Sequence, residues 1–260
     1  MQILNDHNVV REQYKSDNNL NTRISIHKKY STNKTGFGNW IYSHYDFHYD
    51  TKILELGCGT GDMWKEKLHL LREGIQLYLT DISGEMIVSA KKTLGEHSNI
   101  SYGITDIEAI NYESGFFDRV IANMMLYHIP DPDKGLSEVK RVMSDEGYFY
   151  CATYGENGIV SYIADLFSEY KAEDTTNKSF TLQNGEEILK KHFSGVQRYD
   201  YEDSLAVTDI DDMLDYIYSL KNMSAVAELS REDVRAVLEK NTIDGVLNVP
   251  KEYGMFVCHK

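Results

Sequence analysis

Long apolar runs, paired cysteines and an excess of basic residues are all missing from this 260-residue sequence. The longest apolar runs are too short to cross a bilayer, so we expect no membrane-spanning segment. Residues 1–6 have neither the basic nor the apolar stretch of a secretory signal. The three cysteines are scattered and form no CxxC pair, which predicts reduced thiols in a cytoplasmic protein.

Acidic residues outnumber basic ones by 41 to 27, which gives a formal net charge of −14. A negative surface repels the phosphates of a nucleic-acid backbone, although a local basic patch can persist on it. We therefore expect a small-molecule substrate rather than a nucleic acid or a membrane as the partner. The expected assembly is a monomer or a homodimer.

Strand-like apolar segments alternate with helical patterns from residue 50 onwards. The strands are expected at residues 52–56, 76–80, 100–103, 117–122 and 148–153. Strands that alternate with helices form a parallel sheet with helices on both faces, because right-handed crossovers place them there. This pattern predicts the α/β class with a doubly wound sheet.

The segments outside this alternation carry helical patterns. Residues 1–49 contain weak helices, the first around Val9, Val10 and Tyr14, a further helix at 39–47 and several aromatic side chains. We interpret residues 1–49 as a helical N-terminal lid. Residues 50–260 are expected to form the sheet domain, with helical insertions near 156–180 and 206–248 and a strand-like stretch at 195–205.

Three glycines at alternate positions, Gly57, Gly59 and Gly61, follow the first strand, and a helix is expected at 63–71. Glycine permits a positive φ and a close approach of the backbone to a ligand. A dinucleotide-binding fingerprint would need its third glycine at position 62, where Asp62 would instead repel a pyrophosphate. A phosphate-binding Gly-Lys-Ser/Thr sequence is also absent. The loop therefore suits a cofactor with ribose and adenine but no phosphate.

An acidic residue lies at or near the end of each of the first three strands: Glu55, Asp81 and Asp106. Ligands of a doubly wound sheet bind outside the C-terminal ends of its strands. Asp81 lies twenty residues after Gly61, the spacing at which a carboxylate can accept both ribose hydroxyls. Asp106 is placed to accept a hydrogen bond from the exocyclic amine of adenine. S-adenosylmethionine, an adenosine with a sulfonium and an α-amino group, meets these requirements.

Five segments resemble the motifs of the class I S-adenosylmethionine-dependent methyltransferases: residues 55–61 (ELGCGTG), 81–86 (DISGEM), 106–107 (DI), 117–123 (FDRVIAN) and 123–131 (NMMLYHIPD). The last is similar to a segment of small-molecule enzymes of the ubiquinone/menaquinone-methyltransferase type. The resemblance covers about residues 50–155. It implies a mostly parallel seven-stranded sheet with an antiparallel last strand, which residues 253–258 would supply.

The resemblance also implies a cofactor site that consists of Glu55, Gly57, Cys58, Gly59, Gly61, Asp81, Ile82, Met86, Asp106, Ile107 and Asn123. The backbone around Gly57 and Asn123 would hold the methionine amino group, with Glu55 ordering that end. The two isoleucines and the methionine would sandwich the adenine, since apolar faces bury a purine while a few polar groups orient it. The product would be S-adenosylhomocysteine, and no metal is expected.

Tyr127 and His128 are the best-placed catalytic candidates, because they lie just beyond the fourth strand. Methyl transfer needs a base only when the acceptor group is protonated, and histidine titrates near neutral pH. The alternative interpretation of His128 is a histidine that packs at the start of a helix.

The acceptor is less clear from the sequence than the cofactor. Residues 123–126 lack the Asn/Asp-Pro-Pro-Tyr/Phe run of enzymes that methylate the amines of DNA bases. A metalloid acceptor would need several thiolates together, whereas the cysteines here are isolated. We expect transfer of a methyl group to a small organic molecule. The alternatives are methylation of a protein or a tRNA, and binding of S-adenosylmethionine without catalysis.

Overall fold

The computed structural model describes residues 17–220 and 223–260, so the helix expected around Val9, Val10 and Tyr14 lies outside the described residues. The described chain forms two compact units. The sheet unit consists of Gly38–Thr153, Ser179–Tyr199 and Gly254–Lys260. The helical unit consists of Tyr154–Lys178, Asp200–Tyr253 and the described residues up to Phe37. The chain thus enters the sheet unit before residue 49, and the lid role of residues 1–49 stays a prediction.

The strands are β1 Lys52–Leu56, β2 Gln76–Asp81, β3 Ile100–Ile104, β4 Phe117–Ile121, β5 Met143–Tyr154, β6 Gly195–Tyr201, β7 Ser204–Val207, β8 Leu247–Pro250 and β9 Tyr253–His259. The α-helices are α1 Asp17–Tyr30, α2 Phe37–Ser43, α3 Gly84–Leu94, α4 Pro132–Val142, α5 Ile159–Leu166, α6 Gly185–Lys190, α7 Ile210–Ser219, α8 Ser224–Ala227 and α9 Arg231–Lys240. No helix in the described ranges is long and apolar enough to cross a bilayer.

Seven strands form one sheet in the order β3-β2-β1-β4-β5-β9-β6. The pairs among β3, β2, β1, β4 and β5 are parallel, and the sheet contains one antiparallel strand. The core of this unit includes Leu54, Val120, Phe149 and Phe256, each of which is fully buried. Parallel strands are buried on both faces, so their sequences are almost continuously apolar, as in β1. The predicted α/β fold with a doubly wound, mostly parallel seven-stranded sheet is confirmed.

The helices after the strands begin at side-chain caps. Ser83 precedes α3, and its hydroxyl accepts a hydrogen bond from the Met86 amide at 3.4 Å. Asp131 caps α4 in the same way by accepting from the Lys134 amide at 3.0 Å. Such caps satisfy amides that have no partner within the helix.

The helix expected at 63–71 is wrong: this stretch forms successive turns and a short 3-10 helix at Leu68–Leu70. Its amides bond mainly three residues back, as from Trp64 to Gly61 and from Lys67 to Trp64. These three residues are also the buried ones in this stretch. A spacing of three matches the 3.0 residues per turn of a 3-10 helix and not the 3.6 of an α-helix.

The helical unit has its own apolar core, which includes Ile26, Ile163, Met213 and Val249. It also contains a two-stranded antiparallel sheet of β7 and β8 that the sequence did not predict. The strand-like stretch at 195–205 is therefore divided between β6 and β7. The division falls at Asp203, whose carboxylate is fully buried, pairs with Lys251 and accepts a hydrogen bond from the Ser204 amide at 2.9 Å.

Candidate active site

Three polar side chains of the sheet unit lie at the C-terminal ends of adjacent parallel strands. Glu55 of β1 lies opposite Ile121 of β4, two residues before Asn123. The next residue of β1, Leu56, lies opposite Thr80 of β2, the residue before Asp81. The register therefore brings Glu55, Asp81 and Asn123 to one edge of the sheet, where ligands of this architecture bind.

The glycine loop connects β1 to the turns that follow. Gly57, Gly59 and Gly61 have φ angles of 72°, 55° and 77°, in the left-handed region that favours glycine. A Cβ at Gly57 would lie 3.0 Å from Met125 Cγ, and one at Gly61 would lie 2.9 Å from Leu94 Cδ1. A Cβ at Gly59 would meet no atom within 4 Å. Gly59 is thus the loop glycine whose backbone faces open space.

Asp81 holds the glycine loop in place. Its Oδ2 accepts a hydrogen bond from the Gly59 amide at 3.0 Å, and its Oδ1 accepts from the Ser83 amide at 2.9 Å. Burial raises the pKa of this carboxyl, while the backbone hydrogen bonds lower it. A carboxylate oxygen has two lone pairs, so each oxygen of Asp81 can accept one more hydrogen bond.

Glu55 is the most deeply buried carboxyl of the site, with 3% of its surface exposed. The indole N–H of Trp64 donates to its Oε2 at 2.6 Å. Burial raises the pKa of Glu55 to about 7; the Trp64 hydrogen bond opposes this rise and the Asp81 charge adds to it. A cation bound beside Glu55 would favour its charged form and bring the pKa down.

Asn123 follows β4 and has one side-chain atom without a partner. Its Nδ2 donates to the phenol oxygen of Tyr45 at 2.6 Å, whereas its Oδ1 is buried and accepts no hydrogen bond. The next residue, Met124, has a φ of 54°, and its amide donates to the carbonyl oxygen of Ala152 at 2.8 Å. A positive φ is unfavourable for a side chain of this size, and such strain is typical of functional sites.

The residues expected at the adenine differ in burial. Ile82 and Met86 are half-buried, whereas Ile107 is 6% exposed and belongs to the core of the sheet unit. Asp106 accepts a hydrogen bond from the Glu108 amide at 2.9 Å, which forms a local turn after β3. Contacts of these four side chains with an adenine stay a prediction.

The two catalytic candidates lie on the short 3-10 helix Leu126–His128. The rings of Tyr127 and His128 are 4.5 Å apart at an interplanar angle of 57°. His128 Nδ1 is buried without a hydrogen-bond partner, and burial lowers the pKa of this imidazole. The ring is therefore neutral near pH 7, and its buried Nδ1 has no hydrogen-bond partner.

Cys58 of the glycine loop is a free cysteine with a buried side chain. Burial raises the pKa of Cys58, so its thiol is protonated near neutral pH. Its amide donates to the Thr80 carbonyl at 2.9 Å, which ties the loop to β2. The described part of the chain holds no group of three metal-ligating side chains.

Comparison with known proteins indicates which cofactor to expect at this edge of the sheet. A family model described as a methyltransferase domain matches residues 54–151, which include the glycine loop, Asp81, Asn123 and His128. Residues 54–151 are therefore similar to a methyltransferase domain. The cofactor expected for such a domain is S-adenosylmethionine, with S-adenosylhomocysteine as its product.

Two curated relatives align with this methyltransferase domain. The ubiquinone/menaquinone biosynthesis C-methyltransferase UbiE of Pectobacterium carotovorum is 26% identical over 122 residues, which cover 46% of this chain and 48% of that protein. Malonyl-[acyl-carrier protein] O-methyltransferase 1 of Ilyobacter polytropus is 22% identical over 180 residues, which cover 69% of this chain and 65% of the relative. This chain therefore spans less than two thirds of the length of either protein.

A solved structure of phosphoethanolamine N-methyltransferase 2 from Haemonchus contortus, in complex with S-adenosyl-L-methionine, is similar to this chain with a TM-score of 0.59. The sequence identity is 18%, and the match covers 96% of this chain and 58% of that one. At this identity the match supports the fold of the methyltransferase and nothing finer.

Two side chains of the site were not recognised as polar partners from the sequence. In the sequence, Trp64 and Tyr45 were interpreted only as apolar members of helical patterns. In the structure, Trp64 forms a hydrogen bond with Glu55, and Tyr45 forms one with Asn123. An indole or phenol that is buried usually has a hydrogen-bond partner. A buried acid at the end of β1 and aromatics in the flanking segments are the signal that points to such pairs.

We expect Gly59→Ala to weaken S-adenosylhomocysteine binding roughly tenfold, because its methyl group would occupy the open space beside the loop. The positive φ should cost about 1 kcal/mol of unfolding free energy. Gly245→Ala is the matched control, since Gly245 has a φ of 78° and no atom within 4 Å of its added Cβ. Calorimetric titration and thermal unfolding measure both effects. Equal binding by the two variants would contradict the position given to Gly59.

Proposed function

We propose that this protein transfers a methyl group from S-adenosylmethionine to a small-molecule acceptor. The observation that carries the proposal is the strand edge of Glu55, Asp81 and Asn123 around a glycine loop with open space at Gly59. The unpartnered Asn123 Oδ1 and the two carboxyls are hydrogen-bond acceptors, whereas the cofactor has ribose hydroxyls, an ammonium and a sulfonium. The residues present therefore fit this group.

Different residues of the domain would bind the ribose, the adenine and the methionine end of the cofactor. Asp81 would accept hydrogen bonds from the ribose hydroxyls, and Asp106 would accept from the adenine amine. Ile82 and Met86 would cover the adenine together with Ile107. Glu55, with the backbone at Gly57 and Asn123, would hold the methionine end.

The bound cofactor would supply an electrophilic methyl group that leaves as the carbon–sulfur bond breaks, with the electron pair staying on sulfur. The protein has to align the acceptor and exclude water, since the activation is already in the cofactor. Where the acceptor atom carries a proton, the neutral His128 would accept it at the unpartnered Nδ1. Tyr127 would position the acceptor beside this ring.

The small-molecule class of the acceptor is supported by the names of the relatives. The first relative is named as a C-methyltransferase of ubiquinone/menaquinone biosynthesis, and the second as an O-methyltransferase of malonyl-[acyl-carrier protein]. The net charge of −14 also disfavours a nucleic acid. The cytoplasmic location and the monomeric or homodimeric state stay predictions.

The proposal is tested with methyl-labelled S-adenosylmethionine and a cell extract separated into metabolites, RNA and protein. We expect label in the metabolite fraction only. Label in RNA, or label in protein that thioester cleavage does not release, would overturn the small-molecule acceptor but not the methyl transfer. Binding of S-adenosylhomocysteine without any transfer would favour a non-catalytic binding protein.

The role of His128 has a separate test once an acceptor is known. We expect His128→Asn to lower the rate of transfer to a protonated acceptor and to leave S-adenosylhomocysteine affinity within about twofold, because the imidazole accepts a proton and does not hold the cofactor. If the rate of methyl transfer did not change, His128 would have only a packing role. A loss of affinity equal to the loss of rate would place the residue in the cofactor site instead.

A further inference from the structure

The helical unit contains a buried ion pair between Lys251, which follows β8, and Asp203, which precedes β7. Their side chains are 4% and 0% exposed. The Asp203 carboxylate is also held without the lysine, because its Oδ1 accepts hydrogen bonds from the amides of Asn33 and Ser204, each at 2.9 Å. The Lys251 ammonium has three N–H donors and bonds to Asp203 and, at 2.8 Å, to Ser31 Oγ. Its third N–H has no acceptor in the described part of the chain.

His27 of α1 lies within electrostatic reach of this ion pair and is unsatisfied as well. Its Nδ1 is buried and has no hydrogen-bond partner among the described residues. The pKa of His27 is lowered to about 4, first by burial and then by the charge of Lys251, which outweighs the opposing charge of Asp203. The imidazole is therefore neutral, and the electrostatic potential at its position is positive.

Two phenols flank the His27 ring. The rings of Tyr216 and Tyr253 meet it edge to face, with centroids 6.4 and 6.3 Å away. Burial raises the pKa of both phenols, that of Tyr253 to about 12, so each keeps its proton and can donate it to a hydrogen bond. Within residues 17–220 and 223–260, neither hydroxyl forms a hydrogen bond, although Tyr216 is only 5% exposed. Tyr253 is half-buried, and its ring centroid lies 5.5 Å from Lys251 Nζ.

These unsatisfied groups share one chemistry. Polar groups without partners are rare in protein interiors, because each one costs free energy. The ammonium and the two phenols are donors, and a neutral imidazole donates from Nδ1 when that nitrogen carries its proton. The charge of Arg23 also lowers the pKa of Tyr216, so a second cation acts on the cluster. An oxyanion complements such a cluster, since its oxygens accept hydrogen bonds and carry negative charge, whereas a cation would be repelled.

We propose that the helical unit binds a small-molecule oxyanion, either a phosphate monoester or a carboxylate. The ligand would accept hydrogen bonds from the unsatisfied groups of four residues: His27, Tyr216, Lys251 and Tyr253. All four belong to the helical unit, so the site is complete within it. Neither the cofactor nor methyl transfer enters this assignment, so it can fail without the proposed function and the proposed function can fail without it.

The first test is thermal unfolding of the full chain in sodium phosphate or sodium acetate, each compared with sodium chloride at equal ionic strength. A ligand that binds only the folded protein raises the Tm as its concentration rises. We expect at least one of the two oxyanions to raise the Tm above its value in chloride. A rise with phosphate alone would assign a phosphate monoester, one with acetate alone a carboxylate, and one with both the shared oxyanion chemistry. No rise with either salt would overturn the inference.

The second test uses Tyr253→Phe and Tyr216→Phe, which remove one hydroxyl each and keep the rings. We expect each variant to bind the stabilising anion about three- to tenfold more weakly in calorimetric titrations. In chloride alone both should be at least as stable as the unmodified protein, because the lost hydroxyl has no internal partner. Tyr170→Phe is the matched control, since Tyr170 is a tyrosine of the same unit that is 42% exposed.

Two results of the second test would contradict the site. An equal rise of the Tm in both variants and the unmodified protein would mean that the salt acts through its general exclusion from protein surfaces. A loss of stability in chloride would mean that the hydroxyls serve the fold and not a ligand. Either result would overturn the inference.

Discussion

Replacing Asp81 with alanine should weaken S-adenosylhomocysteine binding by about 1.5–3 kcal/mol, or roughly 10- to 150-fold. The reason is that each carboxylate oxygen has a lone pair left for a ribose hydroxyl after its bond to a backbone amide. Calorimetric titration measures the loss directly. Asp62→Ala is the matched control, because Asp62 is an exposed carboxyl of the same loop, bonded to the Thr60 hydroxyl at 2.8 Å.

The same variant also removes the acceptor of the Gly59 amide, so a loss of affinity could come through the loop alone. A ligand that lacks one ribose hydroxyl separates the two causes. The unmodified protein should prefer S-adenosylhomocysteine to its 2′-deoxy or 3′-deoxy analogue, and Asp81→Ala should abolish that preference. A preference of the same size in both proteins would remove Asp81 from the ribose site, whatever the absolute affinities.

The parts of the site that follow from the sequence are those fixed by strand ends. Glu55 and Asp81 were expected at one edge because apolar strands alternate with helices, and parallel pairing then determines where each strand ends. The glycine spacing was equally informative, since a positive φ at Gly57, Gly59 and Gly61 is the conformation that glycine permits. At these residues the sequence pattern alone determines the backbone geometry that the structure shows.

The parts that could not be predicted depend on contacts between distant residues. Trp64 lies in a stretch that looked helical, but its bond to Glu55 and the burial of every third residue favour turns instead. Tyr45 looked like an apolar member of a lid, yet its phenol is a partner of Asn123, 78 residues later. The two-stranded sheet of β7 and β8 pairs segments some forty residues apart, and the sequence of a short apolar run does not identify such a distant partner.

The acceptor side has no comparable sequence signal. Cofactors of this fold bind at the same strand ends, whereas the acceptors differ, as the names of the ubiquinone/menaquinone and malonyl-[acyl-carrier protein] enzymes illustrate. The acceptor is therefore determined by residues that differ among proteins of the same fold, and it has to be inferred from the chemistry of the site. His128, with its buried and unpartnered Nδ1, and the neighbouring Tyr127 are the candidates for such chemistry.

Ionisation of Glu55 should make the ligand-free protein less stable as the pH rises through about 7. The pKa of Glu55 is about 7 in the folded chain against an ordinary value of 4.5, because burial disfavours its charged form. Between these values the unfolded chain has lost the proton and the folded chain has kept it, so the free energy of unfolding falls with rising pH. Each pH unit contributes about 1.4 kcal/mol, so the full effect is about 3 kcal/mol.

The comparison that isolates this effect is Glu55→Gln, which cannot ionise but still offers an oxygen to the Trp64 indole. Titrating groups that do not interact with Glu55 are present in both proteins and cancel in the difference, whereas Asp81, whose charge raises the pKa of Glu55, contributes to it. In urea unfolding, the glutamine variant should gain about 3 kcal/mol relative to the unmodified protein between pH 4.5 and 8. A difference that stays constant over this range would mean that Glu55 ionises normally in the folded protein. Saturating S-adenosylhomocysteine should shift the change to lower pH, since an ammonium beside the carboxylate stabilises its charge.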